Sequence, residues 1–352
     1  MGKDIENLKN KILCGDSAEL LKLVPDNSID LVITSPPYFK QRDYGKGIGN
    51  EEDVEKYIVK LLVIFHECVR LTKDEGNIVF NIGDKYAKSS LILVPYMFAL
   101  EALKQERVKL VNAITWVKAN PTPRQFKRRL VSSTEPFFHF VKTDKYNYDL
   151  NRFYSELDNG RKIQKNNKKK TTVGQRYYKL IADSQLTPQQ KQLAETELKA
   201  VIEEVTCGKI SGFRMKIKGI HAPAFGGQDG GRKIQLEKNG FTIIRINGDK
   251  LKRDVIISAV ENVKGVKHPA VYPMKIIIEL INLLTKENGV VLDPFIGSGT
   301  TALACLSTNR SFIGIEINEE YCDIARKRVA AGKRIVVSSY LKLPIFEEQT
   351  WD

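Results

Sequence analysis

Two short segments hold residues whose types and spacing can do chemistry. The first is Thr34-Ser35-Pro36-Pro37-Tyr38, directly after the apolar run Ile29 to Ile33. Two consecutive prolines fix the backbone and remove two N–H donors. What remains is a rigid display of carbonyls and one hydroxyl, with an aromatic ring behind it. That display suits a planar amine, offering acceptors for its two N–H bonds and a ring on which a heterocycle can stack. Read alone, Ser-Pro-Pro is also an ordinary turn. The second segment runs from Asp293 to Thr301 and reads DPFIGSGTT after the apolar residues Val290 to Leu292. A strand feeding a Gly-rich turn that opens a helix lets backbone approach a ligand and aims helix N–H groups at it. A plain strand–helix turn carries the same glycines. Glu316, 23 residues beyond Asp293 at the end of the next apolar run, sharpens the reading, because an acid there can hold both hydroxyls of a ribose. No third glycine completes GxGxxG and no GK[ST] follows. Dinucleotide and P-loop phosphate sites are therefore disfavoured, and a nucleoside without phosphates fits better.

Positioning such segments takes strands that end where they begin. The first part of the chain alternates accordingly, with strands expected at 11–16, 29–33, 77–82, 108–118 and 135–142 and helices at 17–24, 53–72 and about 91–105. From about residue 144 the character changes. Residues 161–179 hold eight Lys or Arg and no acid. Thr187, Pro188 and Gln190 then form a capping box that starts a helix reaching about Val205. Residues 218–233 read as a loop, with five glycines between 219 and 231, and 241–246 reads as a strand. The α/β rhythm returns with a helix at about 271–285, strands at 290–293 and 312–315, and helices after each. Apolar strands alternating with helices imply an α/β fold, a mostly parallel sheet with helices on both faces. Here it is split around an irregular basic insert, giving parts at 1–143, 144–264 and 265–352.

Lys and Arg exceed Asp and Glu by 56 to 42, a net charge of +14. A Lys-rich surface explains such a balance, and so does a polyanionic partner gripped through its phosphates. The five cysteines are scattered and none has CxxC spacing, so neither a disulfide framework nor a metal site is expected. The first residues, MGKDIENLKNK, lack the apolar core of a secretory leader, and no run of 18 apolar residues exists. A cytoplasmic protein without membrane segments is expected. His66 and His139 lie in apolar patterns and are expected in the core.

Together the two segments resemble the amino-directed DNA methyltransferases, whose motifs are an FxGxG cofactor loop and an (S/D/N)PP(Y/F/W) catalytic tetrapeptide. The resemblance covers roughly 11–142 and 265–331. Catalytic motif first, insert next and cofactor motif last matches the β group, in which the insert is the target-recognition domain. The resemblance implies a Rossmann-like fold that binds S-adenosylmethionine, with double-stranded DNA as partner and, in a restriction-modification system, a cognate endonuclease. It assigns Ser35, Pro36, Pro37 and Tyr38 to catalysis. It assigns Asp16, Ser35, His268, Pro269, Asp293, Phe295, Gly297, Gly299, Thr300, Thr301 and Glu316 to the cofactor. Trp116-Val117-Lys118 with Asn120-Pro121 and the later Ser133 and Glu135 resembles the segment beside the target-base pocket, although Trp116 suits core packing equally. In the insert, Lys168, Lys169, Lys170, Arg176 and Tyr177 are candidates for DNA contact, with a solvated loop as the other reading of that run.

A base amine is a poor nucleophile because its lone pair is delocalised into the ring. Hydrogen bonds to the Ser35 hydroxyl and the Pro36 carbonyl would localise that pair and aim it at a sulfonium methyl. Methylation at C5 of cytosine instead needs a Pro-Cys nucleophile, and no cysteine here follows a proline. Ser-Pro-Pro-Tyr is the usual form for N4-cytosine enzymes and Asp-Pro-Pro-Tyr for N6-adenine enzymes. The expectation is therefore N4 methylation of a flipped-out cytosine, with N6-adenine methylation as the alternative. A catalytically inactive nucleic-acid-binding protein is a more remote one. RNA and protein-glutamine methyltransferases sharing the tetrapeptide usually carry the cofactor loop before it.

Overall fold

The computed structural model describes residues 4–42, 45, 47–104, 107–121, 128–150, 174–207, 209–210, 212–221, 231–246, 253–260 and 272–335. The chain divides into two compact units, Met1–Gly160 with Lys252–Asp352, and Arg161–Leu251. In the first unit the chain runs β1 (Lys11–Cys14), α1 (Ser17–Leu20), β2 (Ile29–Thr34), α2 (Val54–Leu71), β3 (Thr72–Asn81), a small hairpin of β4 (Tyr86–Ala87) and β5 (Ser90–Leu91), α3 (Val94–Leu103), β6 (Lys109–Lys118) and β7 (Thr134–Val141). The second unit holds α4 (Gln175–Ala182), α5 (Pro188–Thr206), β8 (Gly212–Ile217), α6 (Gly231–Asn239) and β9 (Phe241–Ile246). The first unit resumes with β10 (Val255–Ser258), α7 (Met274–Leu284), β11 (Val290–Asp293), α8 (Thr300–Ser307), β12 (Ser311–Glu316) and α9 (Glu319–Ile335).

Eight strands form the main sheet in the order β1-β12-β11-β2-β3-β7-β6-β10. Every pair is parallel except the two made by β7. Parallel strands covered on both faces must be apolar throughout, and successive side chains must serve opposite layers. That is what β2 and β11 do. Val32 and Leu292 join the layer under α2 and α3, whereas Leu31, Ile33 and Val291 join the layer under α7 and α8. In the first layer Phe65 of α2 meets Phe80, Phe98 and Phe140 edge-on, with centroids 5.5, 5.5 and 5.1 Å away. Each such ring, fully buried, contributes roughly 1.5–3 kcal/mol over an exposed one. This is the Rossmann-like arrangement expected from the sequence. Among the described residues no helix is long and apolar enough to cross a membrane.

Three features differ from the sequence reading. The segment 144–264, read as insert, contributes β10 to the main sheet, where it pairs in parallel with β6. Four residues between loops give too short a period to recognise. His66 lies on the exposed face of α2 rather than in the core. Tyr177, read as a DNA contact, is 5% exposed and packs in the core of the second unit, its ring 5.6 Å from Phe213. Helical spacing turns that face of α4 inward, leaving Arg176 and Tyr178 outside. Lys168, Lys169 and Lys170 lie outside the described residues. The capping box at Thr187 and Gln190 is present.

His139 is buried in β7 as the pattern suggests, and its environment makes it a pH-sensitive part of the core. Asn77 donates through Nδ2 to the carbonyls of Asn147 and Leu284, which turns its Oδ1 towards His139 Nε2 at 2.8 Å. His139 Nδ1 has no partner among the described residues. A second ring proton would be a buried donor without an acceptor, and burial lowers the pKa from 6.5 to about 4. A ring kept neutral by the fold stabilises it fully above the unfolded pKa of 6.5 and loses that stabilisation as pH falls towards 4. We expect urea unfolding to show wild-type stability falling between pH 6.5 and 4.5, and His139→Phe to show a shallower fall, by on the order of 2 kcal/mol. Equal slopes in the two proteins would contradict the assignment.

Candidate active site

Strands β1, β12, β11, β2 and β3 all point the same way, so their last residues share one edge of the sheet. Thr34, Asn81, Asp293 and Glu316 are those residues for β2, β3, β11 and β12. Open α/β sheets form ligand crevices at this edge. Because β7 is antiparallel, it begins where its neighbours end, and this brings Glu135 to the same edge beside Lys118, the last residue of β6.

Asp293 joins the two chemistry-bearing segments. Its side chain is buried, and it accepts hydrogen bonds from Thr34 Oγ1 at 2.6 Å, from the Phe295 N–H at 3.0 Å, from Tyr272 Oη at 3.0 Å and from Thr301 Oγ1 at 2.5 Å. Tyr272 and Thr301 also lie within hydrogen-bond reach of each other, so their two protons are shared among three contacts. Burial pushes the Asp293 carboxyl up, while the bonds from Thr301, Thr34, Phe295 and Tyr272 hold it back down. Burial likewise raises the Tyr272 phenol well above its ordinary value. The sequence reading gave Asp293, Gly299 and Thr301 to the ligand. The structure places Asp293 and Thr301 behind the cleft wall, each 1% exposed, where they hold the loop rather than line the cleft. Gly299 is the N-cap of α8 with a left-handed φ of +87°, and a Cβ there would sit 3.0 Å from Ala325 Cβ. It too shapes the turn from behind.

The cleft is lined by Asp16 and Ser17 after β1, by Ser35 to Tyr38, and by Phe295, Gly297, Ser298 and Thr300 of the loop. Glu316 with Ile317, Asn318 and Tyr321 also lines it, together with Gly47, Ile48, Ile64, Tyr272 and Ile296. Six of the expected cofactor residues, Asp16, Ser35, Phe295, Gly297, Thr300 and Glu316, thus meet around one space. His268 and Pro269 lie outside the described residues. Glu316 accepts from the Gly297 N–H at 3.0 Å and from the Asn318 N–H at 2.9 Å, and burial raises its carboxyl. Each carboxylate oxygen retains a further lone pair for a ligand hydroxyl. Asp16 caps α1, accepting from the Ala18 N–H at 2.7 Å. Thr300, the first residue of α8, is buried and its hydroxyl has no partner among the described residues. An unpaired buried hydroxyl beside helix N–H groups, in a cleft wall, is a place for a ligand's polar group.

The tetrapeptide is clamped on all sides. Tyr57 of α2 donates to the Pro37 carbonyl at 2.9 Å. Tyr38 is 8% exposed, and its hydroxyl lies 2.8 Å from Asn81 Oδ1 and 3.0 Å from Glu135 Oε2. Ser35 Oγ donates to Tyr38 Oη at 3.2 Å. Trp116 is core, its Nε1 donating to the Ser258 carbonyl at 3.1 Å, and Asn120 pairs with the backbone of Val260. Neither reaches the cleft lining. Sequence reasoning did not find Tyr57, Asn81, Tyr272, Asn318 or Tyr321, because no local pattern marks an isolated polar residue on a helix, in a loop or at a strand end as facing the cleft.

Residues 29–327 match the N6_N4_Mtase family model, described as DNA methylase. The type II methyltransferase M.MwoI of Methanothermobacter wolfeii is 44% identical over 147 residues, a match covering 40% of this chain and only 22% of that protein. The type II methyltransferase M.Cfr9I of Citrobacter freundii is 25% identical over 346 residues, covering 90% of this chain and 86% of that one. Among solved structures, the PvuII DNA methyltransferase, described as cytosine-N4-specific, superposes with a TM-score of 0.56 at 17% identity over 93% of each chain. That likeness is one of fold.

The clamp on Tyr38 has a steric test. A Cβ at Gly83 would lie 2.3 Å from Tyr38 Cε2, and the ring cannot swing away while Asn81 and Glu135 hold its hydroxyl. We expect Gly83→Ala to lower stability by about 1–3 kcal/mol in urea unfolding. A variant as stable as wild type would show the ring to be loosely held.

Proposed function

The chain belongs to the N6/N4 DNA methylase family, and from that premise we propose that it methylates N4 of cytosine in duplex DNA. S-adenosylmethionine, the methyl donor, supplies an electrophilic methyl group on a positively charged sulfur. The residues of the cleft fit it. Glu316 would hold the ribose hydroxyls, and the start of α8 with the unpaired Thr300 hydroxyl would take the amino-acid end. Phe295 and Tyr321 would give apolar cover.

The observation that carries the reading is the Ser35 hydrogen bond. Ser35 spends its only proton on Tyr38, so what its oxygen offers an incoming group is lone pairs. An N–H donor is what such an oxygen accepts. The Pro37 carbonyl is already taken by Tyr57, and Pro36 lines the cleft beside Ser35. Ser35 Oγ and the Pro36 carbonyl would accept the two N–H bonds of the amine, draw its nitrogen out of conjugation, and orient the lone pair for in-line attack. Tyr38 would stack on the base once it has left the duplex. Serine at the first tetrapeptide position favours cytosine over adenine, by the family resemblance.

Recognition of the target falls, in this reading, to the insert of about 144–264, through Lys168, Lys169, Lys170 and Arg176. The type II names of M.MwoI and M.Cfr9I support a role beside a cognate endonuclease in a restriction-modification system.

The test is incubation with labelled S-adenosylmethionine and DNA, then mass spectrometry of the nucleosides. We expect N4-methylcytosine. N6-methyladenine would overturn the choice of base, and 5-methylcytosine the amine chemistry. Ser35→Ala should cut turnover on the order of 10²-fold while leaving DNA and cofactor affinity near wild type, since its bond strengthens as the nitrogen changes hybridisation. An unimpaired Ser35→Ala enzyme would remove the central residue of this mechanism.

A further inference from the structure

Amine binding leaves one polar cluster at the cleft unexplained. Glu135, at the start of β7, accepts from Lys118 Nζ on Oε1 and from Tyr38 Oη on Oε2, the latter at 3.0 Å. The two charged side chains are 13% and 21% exposed, so the pair is mostly withdrawn from water yet touches it. Lys118 also lies 5.1 Å over the Trp116 ring, which fixes its position. Asn81 is the other neighbour of the Tyr38 hydroxyl, and its amide is oriented by donation from Nδ2 to the Pro136 carbonyl at 3.0 Å. Three oxygen groups thus form a chain, Ser35 Oγ to Tyr38 Oη to Glu135 Oε2, leading from the cleft to a carboxylate.

A methylated amine has a proton to lose. The nitrogen starts with two hydrogens, gains a methyl group, and is left with a positive charge until one hydrogen departs. Resting on the reading of this cleft as an amine-methylation site, we propose that Ser35, Tyr38 and Glu135 are the path by which that proton leaves. As the N–C bond forms and the C–S bond breaks, the N–H bond directed at Ser35 breaks and its proton joins Ser35 Oγ. The proton Ser35 held passes to Tyr38 Oη, and the proton Tyr38 held passes to Glu135 Oε2. The carboxylate ends as a carboxylic acid and returns the proton to water. Lys118 holds Oε1, which presents Oε2 to the phenol. Asn81 cannot be the terminus, because an amide oxygen takes a proton only in strong acid. Its Oδ1, at 2.8 Å, is a second acceptor for the single Tyr38 proton, which transfers when it is turned towards Glu135 Oε2. The family tetrapeptide also admits Phe, which has no hydroxyl, so this path is a property of a chain carrying Tyr38 with Glu135 behind it.

The Lys118–Glu135 pair is otherwise an ordinary ion pair between neighbouring strands, and single-turnover kinetics separate the two roles. Glu135→Gln keeps the size and polarity of the side chain but cannot accept a proton, and Tyr38→Phe keeps the ring but cuts the chain. We expect each to slow methyl transfer on the order of 10²-fold, with cofactor and DNA affinity within about twofold of wild type. The double variant should be no slower than the slower single one, because a path already cut loses nothing by a second cut. A wild-type rate in either single variant, or losses that multiply in the double, would overturn the path. Cofactor binding reports folding, and if Glu135→Gln fails it, the Tyr38→Phe rate decides alone. A wild-type enzyme that methylates no DNA amine would instead sink the functional reading on which the path rests.

Discussion

The carboxylate of Asp293 is withdrawn from water where the end of the tetrapeptide strand meets the start of the cofactor-side loop. A buried charge costs several kcal/mol unless its lone pairs are filled, and removing one partner from such a group is more damaging than never having built it. Thr34, the Phe295 N–H, Tyr272 and Thr301 fill them. Thr34 is the residue immediately before Ser35, and Phe295 and Thr301 bracket the glycine turn. Beyond the pairing of β2 with β11, this one carboxylate therefore ties the groups that would orient the amine to those that would hold the methyl donor. In-line transfer is sensitive to the distance between them at the level of an ångström.

Around this point the sheet supplies direction. Parallel strands deliver Asp16, Ser35 and Glu316 to one edge, each just past or at the end of its strand. The antiparallel strand β7 enters from that edge and delivers Glu135 behind Tyr38, 97 residues away in the chain. The same reversal makes room for His139 deep in the sheet, where stability depends on an uncharged ring. Clamping by Tyr57, Asn81 and Gly83 then leaves Tyr38 a fixed ring rather than a mobile one. Preorganisation of this kind costs order elsewhere in the fold and removes it from the reaction step.

The tetrapeptide and the glycine turn could be read in the sequence because proline and glycine restrict backbone in ways that are local. The sheet could be read because β2, β11, β12 and the Ile78 to Phe80 part of β3 are apolar on both faces, a pattern that belongs to buried parallel strands. What could not be read is which way a polar residue at a strand end points. Asp293 and Glu316 end neighbouring strands with similar surroundings in the sequence, yet one faces the interior and the other the cleft. Partners such as Thr34 and Asp293, 259 residues apart, exist only after strand pairing. The insert was harder still. The helix α4 alternates too briefly to show that Tyr177 turns inward, and β10 is too short to show that it leaves the insert for the main sheet.

The claim that one carboxylate holds both segments is open to a single measurement, amide hydrogen exchange in Asp293→Asn, read by mass spectrometry in peptides covering 29–39 and 290–301. If the carboxylate is the common anchor, both peptides should exchange faster than in wild type, while 109–118 and 134–141, paired through β6 and β7 away from Asp293, keep their rates. Faster exchange in 290–301 with 29–39 unchanged would contradict the account. The tetrapeptide would then be held by its prolines and by Tyr57, and Asp293 would be a brace for the loop alone.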